Sequence, residues 1–142
     1  MRFNKGDVMT MWKVYFYIDA AIMKEESIGQ LLQLLRMMQS NPNMKIKIHG
    51  HTNGNSHGKV LHLSEGDKNF FSIKGDTHEE INASAKKLSE FRAITIQHWL
   101  TDQGISEDRM ESIGWGGKKM VYDKHDTQAH KNVRVEIEIV EE

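Results

Sequence analysis

Residues Lys45–His51 read KIKIHGH and run on into Thr52-Asn53-Gly54. Small or apolar residues (Ile46, Ile48, Gly50) alternate with polar ones (Lys45, Lys47, His49, His51), the period of two that a half-buried β-strand imposes. Asn41-Pro42-Asn43 stands just upstream, and a helix has to end there, because proline cannot continue one and disfavours α geometry in the residue before it. That helix is written in Ile28, Leu31, Leu32, Leu35 and Met38, an i, i+3, i+4 apolar stripe. Its start is expected near Glu25, with Ser27 and Gln30 as a capping box. Further upstream, Trp12–Ile18 (WKVYFYI) is β-branched and aromatic and is expected to form a first, largely buried strand.

Downstream the pattern loosens. From Asn53 to about Asp76 no periodicity persists, and two short strands, Val60–Leu63 and Asn69–Ile73, are expected around the turn Ser64-Glu65-Gly66-Asp67. A long helix is expected from Thr77, where Thr77 and Glu80 fit a second capping box, to about Gln103, with Gly104 closing it. Met110–Ile113 reads as a strand, Gly114-Trp115-Gly116-Gly117 as a turn and His125–Lys131 as a short helix or loop. The last strand, NVRVEIEI (Asn132–Ile139), puts Val133, Val135, Ile137 and Ile139 on one face and Arg134, Glu136 and Glu138 on the other. Helices alternating with strands argue for an α/β sandwich in the order β-α-β-α-β-β, with two helices on one face of a mixed sheet.

At 142 residues the chain fits a single domain. A net charge of −1 provides no footprint for nucleic acid, and the lack of cysteine removes disulfides, thiol nucleophiles and Cys-type zinc sites. No apolar run approaches a membrane span, and Met1–Thr10 lacks the apolar segment of a signal peptide. There is no serine-histidine-acid pattern, and Gly114–Gly117 opens no clear helix as a phosphate loop would. No enzymatic activity and no cofactor are therefore expected. His49, His51 and His57 invite a metal reading, with His49 and His51 on one strand face, but their spacing matches no zinc pattern, and no metal is expected.

One residue breaks the helical pattern. With Leu88 at zero and about 100° per residue, Ile81 and Trp99 fall near 20°, Ala85 near 60°, Ile96 near 80° and Leu100 near 120°. Arg92 falls at about 40°, inside the apolar stripe. A guanidinium is rarely buried without a partner, because desolvating it costs several kcal/mol. Two readings follow: an internal ion pair with Asp19 or a glutamate, or a cation held for a carboxylate from outside, which its planar fork can grip with two bonds.

Four strings, VYFYIDAAIMKEES (Val14–Ser27), IHGHTNG (Ile48–Gly54), LSEFRA (Leu88–Ala93) and NVRVEIEI, resemble in order and spacing the OmpA-like domain, the peptidoglycan-binding module of many Gram-negative envelope proteins. The resemblance covers nearly the whole chain except an insertion at 54–76, where a typical member has a shorter loop. It implies the fold deduced above and a place at the C-terminus of a larger envelope protein. It also implies that Arg92 takes the free carboxylate of meso-diaminopimelate in the peptidoglycan stem peptide. Leu88 and Ser89 belong to the same motif, and Thr52 and Asn53 to the strand-end motif. That motif usually reads GHTD; its aspartate meets the ligand's ammonium, whereas here it reads GHTN. A neutral Asn53 binds more weakly, or an acid of the insertion (Asp67 or Asp76) restores the charge, or the ligand has changed.

Asp19 falls where a polar residue lines the family's site, though capping the following turn is an equal reading. Arg134 matches the second arginine of the family's NRRVE strand and could reach a second carboxylate, or pair with a glutamate across the sheet. Ala85 replaces a family asparagine, with Ser84 or Asn82 as stand-ins. The function implied is non-covalent wall binding that tethers an outer-membrane or lipid-anchored protein from the periplasm. The alternative is a protein-interaction module, in which the insertion, with Phe70-Phe71 and Val60–Leu63, forms a flap or docks an envelope partner. The plainer reading of that apolar material is extra core.

Overall fold

The computed structural model describes residues 3–73 and 78–142. In chain order the elements are β1 (Val8–Thr10), α1 (Ile28–Ser40), β2 (Lys45–His51), β3 (His57–Leu63), β4 (His78–Ser84), α2 (Ala85–Asp102), β5 (Met110–Gly114) and β6 (Arg134–Glu141). Four strands form one sheet in the order β1-β6-β2-β5, with β2 and β5 parallel and the other pairs antiparallel. The alternation in KIKIHGH does what it implies: Ile46 and Ile48 are buried beside Ile137 and Ile139 of β6. Leu31 and Met38 of α1 and Ile96 and Leu100 of α2 close the same core. Two helices against a mixed sheet, an α+β sandwich, is the observed architecture.

Five local expectations are corrected. Trp12–Ile18 is not a buried strand: the sheet edge is taken by Val8–Thr10, paired to β6, while Trp12, Tyr15 and Ile18 are exposed. The aromatic run instead folds back on itself, with Tyr17 N–H donating to Ile22 O and Lys24 N–H to Tyr15 O. That same fold takes Ser27 from its expected capping role, since its Oγ accepts from Tyr15 N–H and donates to Tyr15 O, and a short 3-10 turn (Glu25–Ser27) precedes α1. Leu34 is buried in α1 where the stripe named Ile28, which is exposed. On the last strand Val133 lies just before β6 and is exposed, unlike Val135, Ile137 and Ile139.

The fifth correction concerns the insertion. Strand β3 pairs with β4 over seven residues, from His57↔Ser84 to Leu63↔His78, and Asn69–Ile73 is no strand. Helix α2 therefore starts at Ala85, eight residues later than expected, and Ile81 is an exposed strand residue outside the apolar stripe. Ser84 caps the helix by accepting from Lys87 N–H at 3.1 Å, a favoured N-cap that competes with extension of the helix upstream. Thr77 of the expected box lies outside the described residues. Phe70 is buried in the main core and Phe71 packs against it, which is the plainer of the readings for this apolar pair.

Two glycines let α2 settle on the sheet. A Cβ on Gly50 would run into the Ser89 carbonyl, and one on Gly114 would lie 2.5 Å from Glu90 N and from Lys86 O. Their backbones thus fix how near the helix carrying Arg92 comes to the strand that leads into Asn53.

Candidate ligand-binding site

Arg92 enters the protein from the second turn of α2 and is only 7% exposed. Its Nε donates to Ala20 O at 2.9 Å and its Nη2 to Tyr17 O at 3.3 Å, while the guanidinium lies 5.1 Å from the Phe16 ring. The chain between these carbonyls turns sharply at Asp19, whose φ of 54° is in the left-handed region that aspartate tolerates better than most residues. The turn aims three carbonyls at α2, the third being Ala21 O, which accepts from Thr95 Oγ1 at 2.7 Å. Burial draws the Arg92 pKa down to about 10, and the Asp19 charge opposes that loss. Among the described residues no carboxylate comes within ion-pair distance of Arg92. It is thus solvated by backbone carbonyls and keeps its charge uncompensated at close range.

The cation lines a cavity of about 440 Å³. Five residues singled out from the sequence meet there: Asp19 from the turn, Thr52 and Asn53 from the end of β2, and Leu88 and Arg92 from α2. The base of the β3–β4 hairpin supplies a further wall, of which the sequence reading named Val60 and Ser84 but missed Ser56 and Gly58. Ser84 was legible as a substitute for the family asparagine, and its oxygen already serves the helix cap. Asn82 does not line the cavity. Phe70 and Phe71 do not line it either.

The remaining named residues are placed elsewhere. Ser89 is fully buried; its Oγ donates to Lys86 O and accepts from Gly116 N–H, pinning the turn after β5 to the helix. Thr52 lines the cavity but spends its hydroxyl on Gly54 O. Arg134 is buried rather than exposed: Nε donates to Glu136 at 3.2 Å, Nη1 to Asn132 O and Nη2 to Lys119 O. Its glutamate partner is two residues along its own strand, not across the sheet. Asp67 Oδ1 accepts from Asn69 N–H, and its Oδ2 lies 3.7 Å from His78 Nε2, away from the residues that line the cavity. Asp76 is outside the described residues.

Asn53 is held by a network that was not legible in the sequence. Asn132, fully buried, accepts at Oδ1 from the N–H groups of Val121 and Tyr122 and donates from Nδ2 to Tyr122 O and Asn53 Oδ1. Asn53 in turn donates to Lys124 O at 3.3 Å. The backbone partners fix the sense of this chain, so position 53 needs a group that both accepts and donates, which an amide does and a carboxylate does not. Asn132→Ala would remove the partner of the Val121 and Tyr122 N–H groups, two bonds of about 1 kcal/mol each, and a loss of about 2 kcal/mol is expected in urea unfolding, with loosening of residues 121–124. Unchanged stability would mean that water replaces the side chain.

The histidines on the outer face of β2 have separate partners. His49 Nδ1 accepts from Trp115 Nε1 at 2.8 Å, which leaves Nε2–H to donate to Glu138 at 2.8 Å. His51 is 2% exposed; its Nε2 is paired with Glu136 Oε1 at 2.8 Å, and its Nδ1 has no hydrogen-bond partner. Burial and the nearby Arg134 charge lower its pKa from 6.5 to about 4 against the pull of Glu136. His57 sits on β3 and lines the Arg92 cavity. Among the described residues no group of three or more His, Asp or Glu side chains is placed to hold a metal ion. Among them, too, no helix is long and apolar enough to cross a membrane.

Solved structures share this architecture. A MotB-like protein from Desulfovibrio vulgaris superimposes with a TM-score of 0.65 at 15% identity, over 95% of this chain and 74% of that one. The cell wall anchor of the T6SS from Pseudomonas aeruginosa gives 0.64 at 17% identity, over 95% and 80%. The peptidoglycan-associated lipoprotein from Burkholderia pseudomallei gives 0.58 at 21%, over 89% and 86%. At these identities the likeness establishes the fold. The sequence itself goes further, because the pattern of the OmpA family matches residues 15–134, a span holding both helices and every residue that lines the Arg92 cavity: the chain belongs to the OmpA family.

Proposed function

We propose that this domain binds peptidoglycan non-covalently through the diaminopimelate of the stem peptide, and so tethers an outer-membrane or lipid-anchored protein to the cell wall from the periplasm. The observation that carries this reading is Arg92: a buried cation with two carbonyl partners, no carboxylate at ion-pair distance among the described residues, and a cavity in front of it. In this reading the ligand's carboxylate accepts from the guanidinium, in a setting where such charge-assisted bonds are shorter and stronger than neutral ones. Its ammonium lies between Asn53 and Asp19. Two of the structural relatives are named for the cell wall or for peptidoglycan, in keeping with that assignment. An interaction module would be favoured by Phe70 or Phe71 filling the cavity, and both instead pack in or against the core.

Asn53→Asp tests the ammonium end. The variant replaces a neutral acceptor by a charged one, about 1–1.5 kcal/mol in its favour, at the cost of the bond to Lys124 O. Calorimetric titration with meso-diaminopimelate is expected to show up to about tenfold tighter binding. Unchanged or weaker affinity would remove the ammonium from this end of the cavity.

A further inference from the structure

A second cavity, of about 300 Å³, adjoins the first and shares Phe16, Arg92 and Val133 with it. Its size is within the range of small-ligand pockets. The interior is apolar, with Met11, Val14 and Val135 in its walls, and the exposed rings of Trp12 and Tyr15 contribute to the lining. The charged residues are all basic: Lys24, Arg92, Lys131 and Arg134 line the cavity, and no aspartate or glutamate does. Arg134 is neutralised by Glu136, which lines a neighbouring depression instead. Lys24 and Lys131 have no ion-pair partner among the described residues. Two histidines complete the polar lining, His130 and His51; His51 is 2% exposed, with Nε2 paired to Glu136 Oε1 at 2.8 Å and Nδ1 without a partner.

A neutral imidazole offers one donor and one acceptor; with Nε2–H facing Glu136, the acceptor at Nδ1 is left unmade in the interior, which carries a desolvation cost. The cavity therefore combines three unmet needs: an anion for the lysines, an amide-like partner for His51 and a small apolar body for the walls. A peptide carboxy-terminus with a small apolar last residue has all three.

We propose that this cavity binds the carboxy-terminal alanine of the stem peptide, its carboxylate on Lys24 and Lys131, its amide on His51 and its methyl group on the apolar wall. The assignment rests on the stem-peptide reading for its choice of source, while the cavity's chemistry stands on its own residues. The two cavities then hold neighbouring parts of one ligand on either side of a shared guanidinium.

The test is an NMR titration of the labelled protein with N-acetyl-D-alanine, which contains no diaminopimelate. The His51 ring nitrogens are expected to shift saturably, and the double variant Lys24→Gln/Lys131→Gln to bind at least tenfold more weakly while its diaminopimelate response at Asn53 persists. N-acetyl-D-alanine amide, which lacks the charge, is expected to leave His51 unmoved. An equal response to the amide or in the double variant would overturn the proposal, as would shifts at Asn53 without shifts at His51. Equal binding of the L enantiomer would overturn the stem-peptide source. If diaminopimelate fails to move Asn53 while N-acetyl-D-alanine moves His51, it is the wall-binding reading that falls.

Discussion

Retention on isolated peptidoglycan is expected to drop by about ten- to a hundredfold in Arg92→Ala, the equivalent of one charge-assisted contact of roughly 1.5–3 kcal/mol. The wild-type side chain also donates to Ala20 O and Tyr17 O, so the alanine variant leaves those carbonyls without a partner and loosens the turn at Asp19. Arg92→Lys separates the two effects. Lysine keeps the charge but replaces the planar fork by a point donor on a flexible stem. Its expected loss in binding is about tenfold, with the circular dichroism spectrum unchanged. Full retention by a folded Arg92→Ala protein would exclude Arg92 as the ligand's anchor.

For stability, the largest single change expected is Gly50→Ala. The added methyl group has no room: besides the Ser89 carbonyl oxygen, it would lie 2.8 Å from Ser89 C, both part of a helix backbone that cannot rotate away. Forcing atoms into a close-packed contact of this kind costs about 3 kcal/mol, or roughly 10 °C in Tm. Gly29→Ala is the matched control, because Gly29 lies within α1 with open space around its Cα. There the substitution is expected to stabilise by about 0.5–1 kcal/mol, since glycine loses more backbone freedom on folding than alanine. Equal shifts for the two variants in a calorimetric scan would remove the α2–β2 contact as an organising feature.

The parts of the fold that were legible in the sequence are those whose side chains answer to a single neighbour. Strand β2 and the inner face of β6 alternate because one side meets the helices, and α1 stops where Pro42 forbids its continuation. The parts that were misread carry local propensities that tertiary contacts overrule. Trp12–Ile18 has strand-like residues, yet Val8–Thr10 occupies the sheet edge and the aromatics border a cavity instead. Ile81 projects onto the helical stripe, yet pairing with Val60 draws it into β4. At the candidate site, Arg92 stood out because a charge sat among apolar residues. The Asn132 network did not, because one asparagine ahead of a strand looks like any other until the backbone groups it binds are in place. His51 was named only for a metal reading; by alternation it is an ordinary polar position, and nothing in the sequence marks its burial.

The solvation of Arg92 by carbonyls rather than by an acid bears on how the domain behaves under acidification. A guanidinium paired to a carboxylate would change partners when that carboxylate takes up a proton. One resting on peptide oxygens keeps its hydrogen-bond partners, and with a pKa of about 10 it holds its charge at every lower pH. Asn53 is indifferent to protons altogether. On the proposed reading the carboxylate end of the ligand is then held as the surroundings turn sour, until that carboxylate is itself neutralised near pH ~3–4, so at this end acid acts on the ligand rather than on Arg92.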